Sequence, residues 1–330
     1  MKMQVYESPG DLPKEVEFFL ANTKDKNVYN SNQWSEIVQH NPFLTRIYVF
    51  TKKNAILFVF FVGITQNKKK RFAFINNRKF GGLLCVSHDA KATALAFDKM
   101  CLDLKKNNIA SISVTINSFD GHYHFIGSIV DRLDIQKFNC DLILDMSNGV
   151  DSLISRMSKK RRSNLRASLK KDYCVNSVGV SSAPEIKGLY DKFIANKSGK
   201  KINQRYLNSL ISSDLTTTLS IANNQEVMLG FVIFVIDKIN KEAFYFMSVI
   251  NRQEKSEYII ERIVYQFIID NSDSINKLNF MESSPTYDSG VYKFKSQWGA
   301  ESFPNITVEK YFGTFWLKKF LTSLFMKFIK

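Results

Sequence analysis

A short segment near the C-terminus combines lysines with a turn and several aromatic residues. It follows a predicted buried strand and begins with the turn Asp288-Ser289-Gly290, whose short polar side chains can bond to nearby amides. Tyr292, Phe294 and Trp298 are expected to anchor the residues around Lys295. A lysine held between buried aromatic side chains is desolvated and fixed in place, so it can stabilise negative charge that develops during a reaction. Lys295 is therefore the leading candidate for a catalytic group. The simpler alternative is a pair of strands with solvated lysines.

A second segment, residues 156–171, is strongly basic. It contains eight basic residues and no acidic one. On a helix, Lys159, Arg162, Arg166 and Lys170 fall within a sector of roughly 80° and form one positive stripe. This stripe is either a solvated surface, as charge runs usually are, or a surface that binds the phosphates of a nucleotide or a tRNA.

Arg161 lies off this stripe, in the middle of the apolar arc that contains Met157, Leu165 and Leu169. An arginine in that position must extend its guanidinium to the surface, pair with an acid or reach into a cleft. Arg161 is therefore a candidate binding residue of a different kind from its basic neighbours.

The composition limits the class of protein without selecting one. The 330 residues, 45% of them hydrophobic, are enough to bury two cores of ordinary domain size. The formal net charge of +15 predicts attraction to phosphates, whether on a nucleotide, a tRNA or an anionic lipid surface. The N-terminus lacks the apolar core of a signal peptide, and the longest apolar run, residues 55–64, is too short to span a bilayer. These features predict a cytoplasmic protein.

Several motifs that carry chemistry in other proteins do not occur in the sequence. His122 and His124 could share one side of a strand, but no third ligand accompanies them and no metal site is expected. The sequence has no Walker-type phosphate loop and no serine-hydrolase elbow. The cysteines are widely spaced and are expected to be reduced core thiols. They are Cys85, Cys101, Cys140 and Cys174.

The order of predicted elements repeats in the two halves of the chain. In each half, a meander of strands precedes a helix, and a further strand follows the helix. The helix and the strand after it are predicted at residues 90–105 and 110–116 in the first half. In the second half they are predicted at residues 258–269 and 277–282.

Polar turn residues at 145–149 follow an apolar strand and predict a boundary between domains at residues 1–148 and 149–312. Residues 313–330 form a separate tail. At helical spacing, the tail has a broad apolar face opposite a row of lysines, so it either packs onto its domain or lies in an anionic membrane interface. The apolar residues are Leu317, Phe320, Leu321, Leu324, Phe325 and Phe328.

Three parts of the chain resemble sequence patterns of a known family. Residues 287–301 resemble the signature D-S-G-x-Y-x-F-K-x-x-W-G-A-E near the end of bacterial FemAB-like proteins. Residues 153–171 resemble a helix of the same group with the form S-K-x-x-R-x-x-I-R-x-A. Trp34 lies where those proteins commonly carry a tryptophan shortly after the first strand. The three matches occur in the expected order and cover most of the chain.

This resemblance implies an α+β fold of two tandem GNAT-like units, the acyl-CoA N-acyltransferase fold, with mixed central sheets flanked by helices. It also implies a cytoplasmic acyltransferase that forms an amide between an activated acyl or aminoacyl group and the amine of a cell-envelope or polysaccharide precursor. In such a reaction the amine attacks a thioester or ester carbonyl directly, and the enzyme contributes alignment and charge stabilisation.

The resemblance also implies roles for individual residues. A Phe-Lys pair lies at the acyl-transfer site of the Fem transferases, and its match here is Phe294-Lys295. Lys295 is expected to stabilise the tetrahedral oxyanion. Asp288, Tyr292 and Glu282 are second candidates for positioning or proton transfer. The other expected binding residues are Lys159, Arg161, Arg162, Arg166 and Trp34.

The donor is expected to be either an aminoacyl-tRNA, which suits the positive charge, or an acyl-CoA. Residues 249–257 contain no glycine, whereas ordinary GNAT enzymes have a glycine-rich turn there for the CoA pyrophosphate, and Fem-like proteins in general lack it too. The expected acceptor is a nucleotide- or lipid-linked sugar precursor, and a lipid-linked one would bring the protein to the inner face of the membrane.

Two other functions are compatible with the sequence. An acyl-CoA-dependent N-acetyltransferase acting on an amino sugar would share the fold and Lys295. A non-catalytic protein that binds RNA or a membrane surface would need only the basic stripe, and would leave the signature at residues 288–301 without a purpose.

Overall fold

A computed structural model shows β-sheets flanked by helices, and the predicted combination of mixed sheets with flanking helices is confirmed. The structure describes residues 1–23, 27–40, 43–65, 71–75, 83–85, 88–117, 123–195, 201–251, 257–286 and 289–313. Within them, the strands are β1 (Lys2–Tyr6), β2 (Phe43–Lys52), β3 (Ala55–Thr65), β4 (Arg71–Ile75), β5 (Leu83–Cys85), β6 (Ile109–Asn117), β7 (Ile135–Asp145), β8 (Cys174–Ser177), β9 (Thr216–Ala222), β10 (Met228–Asp237), β11 (Glu242–Ile250), β12 (Lys277–Ser283) and β13 (Glu301–Tyr311).

Several helices begin at a residue whose side chain caps them. For example, the Asp89 carboxylate caps the third helix by accepting hydrogen bonds from the first-turn amides of Lys91 and Ala92. No described helix combines the length and apolar character that crossing a membrane requires. The helices are α1 (Lys14–Asn22), α2 (Asn32–Gln39), α3 (Ala90–Lys106), α4 (Tyr123–Ile129), α5 (Gly149–Arg156), α6 (Lys159–Leu169), α7 (Ala183–Ala195), α8 (Gln204–Ser212), α9 (Ile259–Asn271) and α10 (Gly290–Ser296).

The chain forms two compact units. Unit 1 contains residues 1–138 together with the residues from Asn305 onward, and unit 2 contains residues 139–304. β13 pairs antiparallel with β6 in unit 1, whereas the part of β7 that belongs to unit 2 pairs antiparallel with β12. Each unit therefore contains a strand that chain order alone would assign to the other half of the sequence.

The predicted domains, residues 1–148 and 149–312, follow chain order, and the observed units do not. The polar turn at 145–149 does end a strand, β7, but that strand has already entered unit 2 at Asn139. The difference arises because strands that are far apart in sequence pair with each other, and such pairing leaves no local periodic signal.

In unit 1 the strand order is β1-β2-β3-β4-β6-β13, and β5 pairs with β3. β4 and β6 are parallel, as strands joined through a helix usually are. One face of the sheet packs against α3 and α4, where the rings of Phe60 and Phe97 both contact Phe125. The opposite face packs against α1 through Val16 and Leu20. The sheet is thus covered on both faces.

In unit 2 the strand order is β7-β12-β11-β10-β9-β8, and β11 and β12 are parallel. β10 is buried at every position, as its unbroken apolar run predicts for a strand covered on both faces. Phe267 of α9 stacks on Phe234 of β10 with ring centroids 3.8 Å apart. Gly230 allows β10 to approach its neighbours, since a Cβ there would lie 2.7 Å from the Val249 carbonyl oxygen and 2.9 Å from Ile259 of α9.

The cysteine expectation is confirmed for two positions and wrong for one. Cys101 and Cys140 are buried free thiols, and burial raises the pKa of Cys101 to about 12. Cys174 is exposed on the short strand β8. The side chain of Cys85 lies outside the described part of the structure.

Candidate functional site

The candidate site lies in unit 2, where β11 and β12 separate. These parallel strands pair over only three positions, residues 242–244 with residues 277–279. β11 continues to Ile250 alongside β10, and β12 continues to Ser283 alongside β7, but the two are no longer hydrogen-bonded to each other. An opening between neighbouring strands offers main-chain edges along which an extended ligand can bind.

Both strands are bulged just beyond the point of separation. In β11, the register with β10 shifts so that Phe246 is an extra residue. In β12, Phe280 and Met281 together occupy one position opposite β7, and Met281 has the left-handed φ of +62°. Bulges re-aim side chains and carbonyl groups and are common beside active sites. The opening is therefore bordered by two irregular strand segments.

Lys295 reaches this border from α10. Its ammonium donates hydrogen bonds to the carbonyl oxygens of Met281 at 3.1 Å and Glu282 at 2.8 Å. Lys295 is only 6% exposed, whereas Lys293 is exposed. The segment is a helix, capped by the Ser289 hydroxyl, so the alternative of a strand pair with two solvated lysines is wrong.

Arg161 is a second buried cation beside the same helix. Its guanidinium forms an ion pair with Glu261 of α9 and donates to the Phe294 carbonyl at 3.1 Å and the Gln297 side chain at 3.2 Å. It also lies 4.4 Å from the ring centroid of Phe294 and 5.4 Å from that of Trp298. Burial lowers the pKa of Arg161, and the neighbouring carboxylate opposes that shift. Arg161 therefore pairs with an acid, and its contacts hold α10 in place.

The exit from α10 is fixed by a glycine. Gly299 has φ of +84°, and a Cβ at this position would lie 3.0 Å from the main-chain oxygen of Arg156 at the end of α5. Only glycine combines that conformation with so close an approach. The Trp-Gly pair of the signature thus places Trp298 in the core and turns the chain sharply away.

The other predicted catalytic residues occupy different environments. Tyr292 is buried in the core of unit 2. Glu282 is exposed at the end of β12, and its carboxylate accepts a hydrogen bond from Asn139. Phe294 is partly buried, with its ring centroid 6.4 Å from that of Phe280. The structure thus brings Lys295, Phe294 and Glu282 to the same end of β12.

Some predictions fall on residues that lie outside the described structure. These residues are Asp288, His122 with the side chain of His124, the loop at 252–256 and the tail at 314–330.

The predicted basic helix is two helices. α5 ends at Arg156 and α6 begins at Lys159, because the Ser158 hydroxyl accepts the Arg161 amide and caps α6. The stripe itself lies on α6 and the residue that follows it. Leu169, expected on the apolar side, is 44% exposed because it lies in the last turn of α6.

Members of the basic stripe have unequal roles. Lys159, Arg166 and Lys170 are exposed and can meet phosphates. Arg162 is partly buried and donates to the carbonyl oxygens of Ser155 and Met157 at the end of α5, so part of its function is to join the two helices.

Trp34 belongs to unit 1. It is fully buried in α2, and its ring meets Tyr29 edge-to-face at 5.0 Å. Since the indole has no exposed surface in this structure, its observed contacts are those of a core residue.

Sequence reasoning missed three residues of the site. Glu261 is a lone acid in the first turn of an apolar helix, and Asn279 is a lone amide in an apolar strand. Both exceptions to an apolar pattern are signals that could have been used. Tyr245, just beyond the last paired position of β11, lies between Phe234 and Phe280 with centroids 6.0 and 5.8 Å away, and burial raises the pKa of its phenol.

Comparison with known proteins identifies the fold. No family model and no curated protein sequence matches the chain. A crystal structure of FemX is similar, with 11% identity, a TM-score of 0.65, and coverage of 93% of this chain and 97% of that one. L-PGS from Bacillus licheniformis has 11% identity and a TM-score of 0.58, covering 92% and 93% of the two chains. A tandem GNAT protein from the clavulanic acid biosynthesis pathway has 10% identity and a TM-score of 0.57, covering 93% and 98%.

The chain therefore has the fold shared by FemX, L-PGS and the tandem GNAT protein, as its sequence motifs predicted.

Proposed function

We propose that the protein is a FemAB-type N-acyltransferase built from two GNAT-like units. It would join an activated acyl or aminoacyl group to the amine of a cell-envelope or polysaccharide precursor. The observation that carries this proposal is the separation of β11 and β12 with a buried lysine at its border, in a chain with the fold of FemX.

The opening suits a reaction in which two substrates must meet. The acceptor amine attacks the carbonyl carbon of the donor, the new C–N bond forms, and the C–O or C–S bond to the carrier breaks. The amine loses a proton and the leaving oxygen or sulfur gains one. Lys295 would stabilise the oxyanion between these steps, since its charge is held in place by two carbonyl groups before any substrate binds. Tyr292, Glu282 and Asp288 stay second candidates for moving the proton.

The exposed cations of α6 suit a phosphate-bearing substrate. Lys159 and Arg166 lie on α6, which also carries Arg161, and Lys170 directly follows that helix. Arg161 in turn contacts α10. A nucleotide-linked sugar precursor or an aminoacyl-tRNA would each present several phosphates to such a surface.

An acyl-CoA-dependent N-acetyltransferase acting on an amino sugar is the second candidate. Tyr258, which precedes α9, makes no side-chain capping hydrogen bond to that helix, and a helix N-terminus favours a bound pyrophosphate.

The test is transfer from defined donors. Purified protein is incubated with acetyl-CoA or with an aminoacyl-tRNA, together with a UDP-linked amino sugar, and new amides are detected by mass spectrometry. We expect one donor class to support transfer. Lys295→Met should lower turnover on the order of a hundredfold, and the matched control Lys293→Met on the same helix should not. Transfer from neither donor, or near-normal turnover of Lys295→Met, would contradict the proposal.

A further inference from the structure

Asn279 is a buried polar residue at the point where the site opens. It belongs to the last pair of residues, with Phe244, that joins β11 to β12. It is 0% exposed in a strand whose neighbours Leu278 and Phe280 are also fully buried. A buried amide must find specific hydrogen-bond partners, whereas a leucine of similar size would fill the space without needing any.

Both ends of the amide are bonded, which fixes its orientation. The Asn279 Oδ1 accepts a hydrogen bond from the Met281 amide at 2.7 Å, and Nδ2 donates to the Glu242 carboxylate at 3.1 Å. Asn279 therefore links the beginning of β11 to the bulge of β12.

The bond to Met281 supports an unfavourable main-chain conformation. Met281 has φ of +62°, a region that residues other than glycine and asparagine seldom adopt. This conformation makes the bulge and turns the carbonyls of Met281 and Glu282 toward α10, where both accept hydrogen bonds from Lys295. A continuous chain of contacts thus runs from Asn279 through the bulge to the ammonium group.

We infer that Asn279 is a positioning residue for Lys295. Its side-chain amide holds the bulge of β12, and the bulge holds the charged group of the site. This inference rests on the proposed function for its kinetic consequence, but not for its structural one.

The first test replaces the amide with an apolar side chain of similar size, Asn279→Leu. We expect kcat to fall about tenfold to a hundredfold with KM little changed, because the substitution displaces the Lys295 ammonium without removing its charge. The variant Asn279→Leu/Lys295→Met should be no slower than Lys295→Met alone, since both changes act through one group. Losses that multiply would overturn the inference.

The second measurement does not depend on activity. Limited acetylation with acetic anhydride, followed by mass spectrometry, compares Lys295 with Lys293 as an exposed internal reference. In the wild type, Lys295 should react slowly. In Asn279→Leu its relative rate should rise about tenfold or more, as weakened hydrogen bonds to a charged group imply. An unchanged rate for Lys295 would overturn the inference, whatever the kinetics show.

A glycine at position 281 should rescue the defect of Asn279→Leu. Asn279→Leu/Met281→Gly should recover protection of Lys295 and most of kcat, because glycine adopts a positive φ without support from a neighbouring side chain. A purely structural defect would instead become worse with the added glycine. If the rescue fails in a folded protein, the bulge is not the link between Asn279 and Lys295.

If Asn279→Leu does not fold, exchanging the two partners keeps the inference testable. Asn279→Asp keeps an acceptor for the Met281 amide, but repulsion from the Glu242 carboxylate should displace the new side chain from that amide and so expose Lys295. In Asn279→Asp/Glu242→Gln the glutamine amide can donate to the aspartate carboxylate, so Lys295 should again be protected from acetylation. Equal labelling of Lys295 in these two variants would overturn the inference. A wild-type protein that transfers no acyl group, yet shows these labelling changes, would fail the proposed function and keep the positioning role.

Discussion

Arg161 illustrates how a single residue can have a function that its neighbours in the sequence do not share. Its side chain is 3% exposed and that of Glu261 is 12% exposed. Removing one member of a buried ion pair leaves the other charge without compensation, at a cost of about 3–5 kcal/mol. We therefore expect Arg161→Leu to lower the free energy of unfolding by about that amount. Urea denaturation monitored by tryptophan fluorescence would measure it.

The matched variant is Arg161→Leu/Glu261→Leu. Replacing both members of a buried pair by apolar residues is often close to neutral, so the double variant should recover most of the lost stability. If it is as unstable as Arg161→Leu, the contacts of Arg161 with α10 and Trp298, both hydrogen bonds and cation–π, matter more than the ion pair.

Lys295 is predicted to affect stability as well as turnover. Lys295→Met keeps the aliphatic stem but leaves the carbonyls of Met281 and Glu282 without this donor, which costs about 1–3 kcal/mol. Lys293→Met, on the exposed side of α10, should change stability by less than about 0.5 kcal/mol. Thermal unfolding of both variants measures the contrast, and equal melting temperatures would show that the two carbonyls find other partners.

The sequence predicted residue types better than it predicted residue partners. That Lys295 would be buried followed from its aromatic surroundings, and that Arg161 would pair with an acid was one of three outcomes that its apolar surroundings allowed. That the acid is Glu261, one hundred residues later in the chain, did not follow, because no periodicity connects α6 with α9. The same limit hid Asn279, whose importance depends on the register between β11 and β12.

At the scale of elements, long periodic segments were predicted closely and irregular ones were not. The helix predicted at residues 90–105 is α3, Ala90–Lys106, and the strand predicted at 277–282 is β12, Lys277–Ser283. The break before α6 was missed, although Ser158 is a capping residue. Its signal was obscured because lysines and arginines on both sides continue a helical pattern of charge.

The exposed part of α6 carries the next prediction. Arg166→Gln/Lys170→Gln should weaken binding of tRNA and reduce the slope of log Kd against log salt by roughly 1.5, since two phosphate contacts release fewer counterions when lost. Fluorescence anisotropy across a salt series would measure both. Arg162 is unsuitable for this test because it also bonds to the end of α5.

The control removes the same charge elsewhere. Lys91 and Lys105 are exposed on α3 of unit 1, so Lys91→Gln/Lys105→Gln changes the net charge equally without touching α6. A similar slope change in both double variants would mean that net charge, and not the stripe, attracts the nucleic acid.

At the scale of the whole chain, most of β13 belongs to unit 1 and most of β7 belongs to unit 2, and this assignment determines which fragments can fold. Unit 2 is continuous in sequence and should fold alone as residues 139–304. Residues 1–138 lack β13, so β6 would be left as an unpaired apolar edge and Val308 would be missing from the core. We expect this fragment to be unfolded or aggregated, and a peptide of residues 301–313 to restore cooperative unfolding in urea. Cooperative folding of residues 1–138 without the peptide would contradict this.

The tail at 314–330 carries a separate prediction. Because Phe312 still packs in the core of unit 1, truncation after Gly313 should leave both units folded. If the tail binds lipid through its apolar face and lysines, the truncated protein should bind phosphatidylglycerol vesicles more weakly than the full chain, with no difference on neutral vesicles. Loss of folding on truncation, or indifference of the full chain to anionic vesicles at low salt, would make the tail a structural element.

Because β13 completes unit 1 but follows unit 2 in the sequence, it also sets the order in which the two units can fold during synthesis. A ribosome that has just completed residue 138 must add the whole of unit 2 before β13 emerges, which at ordinary rates takes roughly 10–35 seconds. During that interval unit 2 can fold, whereas unit 1 stays incomplete because the apolar edge of β6 has no partner strand. The N-terminal unit is therefore the one that finishes last, and a premature stop anywhere before residue 305 would leave it without its closing strand even when unit 2 is nearly complete.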